Sequence, residues 1–171
     1  MKHWLWLSLI VVLVDQATKW LVMGGLEPFE VIEVVPNLNL TLMFNTGAAF
    51  SFLAEAGGWQ RWLFAAFALA ISAALVVWLL RLREQERTLA IALALIIGGA
   101  VGNLIDRLRL GYVVDFIDVF WRNHHWPAFN AADSAITIGI ALLVVDMLRK
   151  PDEAASSQSS LEAAQPQGRT D

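Results

Sequence analysis

LAIALALIIGGAVGNLI, residues Leu89–Ile105, holds a single polar side chain, Asn103, and no charge. A helix needs about 20 mostly apolar residues to cross roughly 30 Å of hydrocarbon, and this run approaches that length. Outward from it, Trp59–Leu80 precedes it and Ala132–Leu148 follows it, while Trp4–Val22 opens the chain; all three are comparably apolar. The sequence therefore predicts four membrane spans. The first could instead be a secretory signal, with Lys2 ahead of an apolar core, but no A-x-A site follows and Asp15 and Lys19 interrupt its far half.

Composition agrees. With 57% hydrophobic and 16% charged residues and a mean hydropathy of +0.56, the chain lacks the polar surface to cover a soluble globule. A net charge of −4 provides no basic footprint for nucleic acid. The absence of cysteine excludes disulfides, thiol nucleophiles and Cys-based metal sites.

Lys2, Arg81, Arg83, Arg87, Arg149 and Lys150 would share one side of the membrane, which the positive-inside rule makes cytoplasmic, with both termini there. Lys19, Arg61, Arg107, Arg109 and Arg122 fall to the other side, so the bias is modest. Whichever way four spans insert, the connections 23–58 and 106–131 share a face. In the first, Leu38, Leu40, Leu42 and Phe44 alternate with Asn39, Thr41 and Met43, a period of two that predicts a small sheet. Pro28, Pro36 and Gly57-Gly58 punctuate it. Asn39-Leu-Thr also matches a glycosylation sequon, a short pattern that commonly arises by accident. Residues 151–171, rich in Ser, Gln and Ala, read as a disordered tail.

Ionisable residues in or beside spans are costly and point to function. Asp15 and Lys19, four apart, can neutralise each other on one helix face or form a snorkelling pair near the outer surface. Gly98 and Gly102 make a small-xxx-small pattern for close helix contact, and Asn103 shares a face with Asp106 and Arg107. Asp115 in Val-Val-Asp-Phe and Asp133 in Phe-Asn-Ala-Ala-Asp-Ser lie among apolar neighbours on the shared outer face. Asn130 with an acid three residues on also resembles a helix-capping pattern, and Asp115 could be a solvated strand or turn acid. Asp118 reads as a surface acid, and His124 and His125 as interfacial loop residues that cannot both face one metal as helical i,i+4 ligands do.

Two close carboxyls sharing one proton supply both the base and the acid of amide hydrolysis. Asp133, early in the fourth helix, would feel the positive end of the helix dipole, so the charge is expected there and the shared proton on Asp115. There is no H-E-x-x-H and no G-x-S-x-G, and Asp15 would keep Lys19 protonated and unfit as the base of a Ser/Lys dyad.

Taken together, Asp15-Gln-Ala-Thr-Lys19, Asn45-Thr-Gly-Ala-Ala-Phe50, Gly98-Gly-Ala-Val-Gly-Asn-Leu-Ile-Asp-Arg107, Val113-Val-Asp-Phe116 and Phe129-Asn-Ala-Ala-Asp-Ser134 resemble the signal peptidase II, or lipoprotein signal peptidase, family of bacterial membrane aspartic peptidases. The resemblance covers nearly the whole chain apart from its tail. It implies a mainly α membrane protein: a four-transmembrane-helix bundle with cytoplasmic termini, a small extramembrane β-sheet cradle at about 28–55, and a short outer helical segment, the 106–131 connection being loop or helix. Residues 1–150 would be one peptidase domain in the bacterial inner membrane, with its active site near the outer face and the tail cytoplasmic. Asp115 and Asp133 would be the catalytic aspartates. Asn45, Gly47, Asn103, Arg107 and Asn130 would bind substrate or support the dyad, and Asp15, Lys19 and Asp106 would be structural or accessory. The implied reaction removes the signal peptide from a diacylglyceryl-modified prolipoprotein, before the lipid-bearing cysteine. No metal or organic cofactor, no nucleic acid and no obligate protein partner is expected beyond substrate and membrane lipid.

Two other classes compete on the residues alone. A proton or ion pathway would also use intramembrane Asp, Asn and Arg, but needs ionisable groups through the depth of the bundle. A scaffold subunit would be indifferent to Asp115→Asn and Asp133→Asn.

Overall fold

A computed structural model describes residues 1–47 and 58–149. Four helices are long and apolar enough to cross a membrane. They are α1 (Leu5–Gly25, entered through a 3-10 turn at Lys2–Trp4), α2 (Trp59–Arg81), α3 (Arg87–Arg109) and α4 (Ala131–Arg149). Each predicted span lies within one of them, save that the first begins at Trp4, the last residue of the 3-10 turn. Strands β1 (Val31–Val35) and β2 (Leu38–Asn45) join α1 to the second span's side, and β3 (Val113–Trp121) and β4 (His124–His125) lie between α3 and α4.

The stretch 89–105 is the centre of the bundle: α3 packs against α1, α2 and α4. Its small residues explain why. A Cβ added to Gly98 would lie 2.7 Å from Val11 Cβ and 2.8 Å from the Ser8 carbonyl oxygen, so only glycine lets α1 approach this closely. Leu79, Leu89, Ala90, Leu93 and Ile97 form a buried cluster at the opposite end from the sheet. Outward faces keep their apolar side chains exposed, Trp6, Ile10, Leu13, Phe67 and Leu148 among them, as a lipid-facing surface requires. Trp59 and Trp62 stand exposed at the first turn of α2, positions suited to an interfacial belt.

The sheet has the order β1-β2-β3-β4, all neighbours antiparallel. Its central pairing, β2 with β3, joins segments far apart in sequence, so the two connections do meet on one face. A register irregularity between Leu40 and Met43 brings Thr41 and Leu42 both inward. Leu42, Val114 and Phe116 then pack on Val22, near the C-terminal end of α1, and on Leu26 just beyond it, fastening sheet to bundle.

The connection 106–131, expected as loop or helix, is instead the last turn of α3 followed by β3 and β4. β-branched Val113, Val114, Ile117 and Val119 favour extended chain, and β2 offers them a partner. Among the described residues no separate outer helix forms. The remainder of the expected cradle, 48–55, the Ala48-Ala49-Phe50 part of its motif, Gly57 and the tail 151–171 lie outside the described residues.

Candidate active site

Asp115 is the third residue of β3 and 3% exposed. Its Oδ2 accepts a hydrogen bond from Asn45 Nδ2 at 3.0 Å, across from β2, and its Oδ1 one from Asn130 Nδ2 at 2.7 Å. Asp133 stands in the first turn of α4, where Oδ1 accepts from Asn103 Nδ2 at 2.8 Å and Oδ2 from the Asn130 backbone N–H at 3.3 Å. Asn130 Oδ1 in turn accepts the Asp133 N–H at 2.9 Å. The reciprocal pair is a capping box, so the capping reading of Asn130 and Asp133 is right, and it does not compete with a role in the site. It occupies Oδ2 of Asp133 and leaves Oδ1 to Asn103. Asn130, fully buried, is therefore bonded to both carboxylates at once.

Burial first, and then the nearby charge of Asp133, raise the Asp115 pKa to about 7 against the opposing hydrogen bonds from Asn45 and Asn130 and the charge of Lys19. A carboxyl that holds its proton up to neutrality beside a second carboxylate is what acid/base hydrolysis needs.

Around the pair lies a cavity of about 870 Å³. Asn45, Asn103, Arg107, Asp115 and Asp133 provide its polar lining; Phe29, Phe44, Trp126, Phe129, Ile136 and Ile138 provide much of the rest. Arg107 reaches the Gly47 carbonyl with Nη2 at 3.4 Å and its own helix at Asn103 O with Nη1 at 3.3 Å, and its guanidinium lies 5.5 Å from the Phe64 ring centre. Asn45 Oδ1 accepts the Gly47 N–H at 3.0 Å, turning the chain at the cavity rim. All five expected support residues thus gather around the two aspartates. Gly47 and Asn130 do so from behind the cavity wall.

Beneath the site, Asp15, Lys19 and Asp106 form one buried cluster, not a snorkelling pair. Lys19 Nζ is 2.9 Å from Asp15 Oδ2 and 2.8 Å from Asp106 Oδ2, and all three residues are at most 3% exposed. Gln16, which sequence reasoning passed over, donates to Asp106 Oδ1 at 2.8 Å and to the Gly102 carbonyl at 3.3 Å. Its place one residue after Asp15, an amide inside an apolar span, was the available signal. Thr46, Ser134 and Thr137, which also line the cavity, carried no such signal.

Asp118 is not a surface acid. It is 8% exposed, accepts from Asn39 Nδ2 at 2.9 Å and faces His125 Nδ1 at 2.9 Å. The cross-strand register opposes it to Asn39, which composition alone does not specify. Asn39 is itself buried by this bond, so the sequon there is not presented for modification. His124 and His125, expected in a loop, instead form the short strand β4, and both are exposed.

Comparison with known proteins adds an independent line. The model of the family described as signal peptidase (SPase) II matches residues 7–149. A lipoprotein signal peptidase of Pseudomonas fluorescens is 60% identical over 148 residues, covering 85% of this chain and 87% of the relative. One from Pseudomonas putida is 58% identical over 148 residues, covering 85% and 86%. A bacterial membrane enzyme solved by the in meso method at 2.3 Å resolution superposes with a TM-score of 0.78 at 33% identity, covering 90% of this chain and 94% of that one.

Proposed function

Since the chain belongs to the signal peptidase II family, we propose that it is an aspartic endopeptidase that removes the signal peptide from diacylglyceryl-modified prolipoproteins, cutting before the lipid-bearing cysteine with a water activated between Asp115 and Asp133. The observation that supports the dyad is Asn130, whose side-chain amide donates to Asp115 and whose backbone N–H donates to Asp133, so that one residue tethers both carboxylates.

In the reaction, ionised Asp133 takes a proton from water as its oxygen attacks the scissile carbonyl carbon, and protonated Asp115 gives its proton to the carbonyl oxygen. Collapse breaks the C–N bond: Asp133 passes the water's proton to the leaving amine, and the hydroxyl proton returns to Asp115. Each proton-transfer role is worth about 10²–10⁴ in rate. Arg107 and Asn45 border the place where the substrate chain would lie, and both hydrogen-bond Gly47 behind them. The apolar wall of Phe29, Trp126, Ile136 and Ile138 suits an acyl chain entering from the membrane plane.

The same reading puts both termini in the cytoplasm of a bacterial inner-membrane protein and the sheet at the outer face. The deciding experiment incubates purified protein in detergent with lipidated and unlipidated precursor peptides. Cleavage of the lipidated form only, lost in Asp115→Asn and in Asp133→Asn while both variants stay folded, is expected. Retention of cleavage in either variant removes the dyad.

A further inference from the structure

Lys19 is 1% exposed and takes part in none of the bond-making steps above. Its ammonium has three protons and three partners: Asp15 Oδ2 at 2.9 Å, Asp106 Oδ2 at 2.8 Å and Asn103 Oδ1 at 3.0 Å. Each partner passes the restraint on to a residue at or next to one of the two aspartates. Asp15 Oδ1 accepts the Ala132 N–H at 2.9 Å, one residue before Asp133. Asp106 Oδ2 accepts the Val114 N–H at 3.2 Å, one residue before Asp115. Asn103 donates directly to Asp133 at 2.8 Å.

The third arm also carries directional information. An asparagine amide has an accepting and a donating end of nearly the same shape, and an ammonium only donates. Facing the Lys19 ammonium at 3.0 Å and the Asn130 Nδ2 donor at 3.2 Å, Asn103 must present oxygen, which turns its nitrogen toward Asp133; of the two donors, Lys19 is the nearer and the charged one. Neutralising Asp15 and Asp106 would not require this contact, because Asn103 is uncharged.

We propose that Lys19 is a positioning residue for the peptidase reaction: its ammonium joins α1, α3, α4 and β3 at one point and orients the Asn103 amide, thereby fixing where Asp133 stands relative to Asp115. The proposal rests on the dyad reading. It differs from a purely stabilising role because it acts through Asn103.

Two measurements test it on the full-length protein in detergent. Lys19→Met combined with Asp106→Asn removes one positive and one negative charge, leaving the cluster's net charge unchanged. Compared with the parent, whose cluster carries the same net charge, kcat of the double variant on a lipidated precursor peptide should fall about 10²-fold with KM moving less than about threefold. In an added Asn103→Leu background the same lysine substitution should cost less than about threefold. An unchanged kcat, or equal losses in both backgrounds, overturns the proposal.

The second measurement leaves Lys19 in place and needs no turnover, so it is independent of whether the dyad reading holds. The 15N resonance of the Lys19 ammonium should shift on Asp133→Asn, and the shift should shrink at least about threefold when Asn103→Leu is also present, leaving only the direct charge effect. A Lys19 signal indifferent to Asp133→Asn overturns the proposal even if the charge-balanced variant fails to fold.

Discussion

At Asp115, catalysis and stability pull in opposite directions. Its proton is held up to about pH 7 in the folded protein, against 3.8 for the free side chain. The folded state therefore binds the proton more tightly, and that contribution to stability is complete below pH 3.8 and lost as pH rises through about 7. Asp115→Asn removes the dependence: it should abolish cleavage yet melt at a higher temperature than the parent at pH 8, with little difference at pH 4. A lower melting temperature at pH 8 would show the carboxylate to be better solvated than its burial implies. For the parent, the alkaline limb of kcat/KM should fall near pH 7, because Asp115 acts as an acid. Asn130→Ala removes a helix cap and the bond to Asp115 together. It should lower kcat at least about 10²-fold and stability by about 1–2 kcal/mol, measured by denaturation in the same detergent.

At the scale of elements, α3 is the one whose small residues decide how closely the others approach. A Cβ on Gly102 would stand 2.6 Å from Asp15 Oδ2, the carboxylate whose other oxygen accepts the Ala132 N–H at the start of α4. Gly102→Ala should destabilise by about 1–3 kcal/mol and reduce activity, whereas Gly24→Ala, with nothing within 4 Å of its added Cβ, should be neutral or slightly stabilising. Comparing melting curves of the two separates crowding from helix propensity. In the sheet, Asp118→Ala leaves buried Asn39 without its acceptor and should cost about 1–3 kcal/mol. Cleavage by the folded fraction should persist, since Asp118 does not line the cavity. The helices were legible because each keeps an apolar run near the length a bilayer demands. The strand Val113–Trp121 was not, because its extended form depends on pairing with β2, some seventy residues earlier.

For the whole molecule, the sheet-bearing ends of the four helices and the cavity lie on one side, so orientation decides which compartment supplies the water. The chain has no cysteine, which makes labelling unambiguous. Arg122→Cys, exposed beside β4, should react with a membrane-impermeant maleimide in intact cells. Glu84→Cys, exposed in the connection between α2 and α3, should react only after permeabilisation. The reverse pattern would invert the topology while leaving the fold untouched.

Span number, the shared face of the two connections, and the choice of Asp115, Asp133 and the residues around them as candidates follow from the linear chain, since hydropathy and motif order are local properties. What tertiary structure alone decided is the relation between them. Asn130 holding both carboxylates, Lys19 buried among three partners instead of reaching for the surface, and Asp118 withdrawn behind Asn39 each depend on side chains brought together from different elements. Such contacts depend on helix packing distance and strand register, and neither is written in any single stretch of sequence.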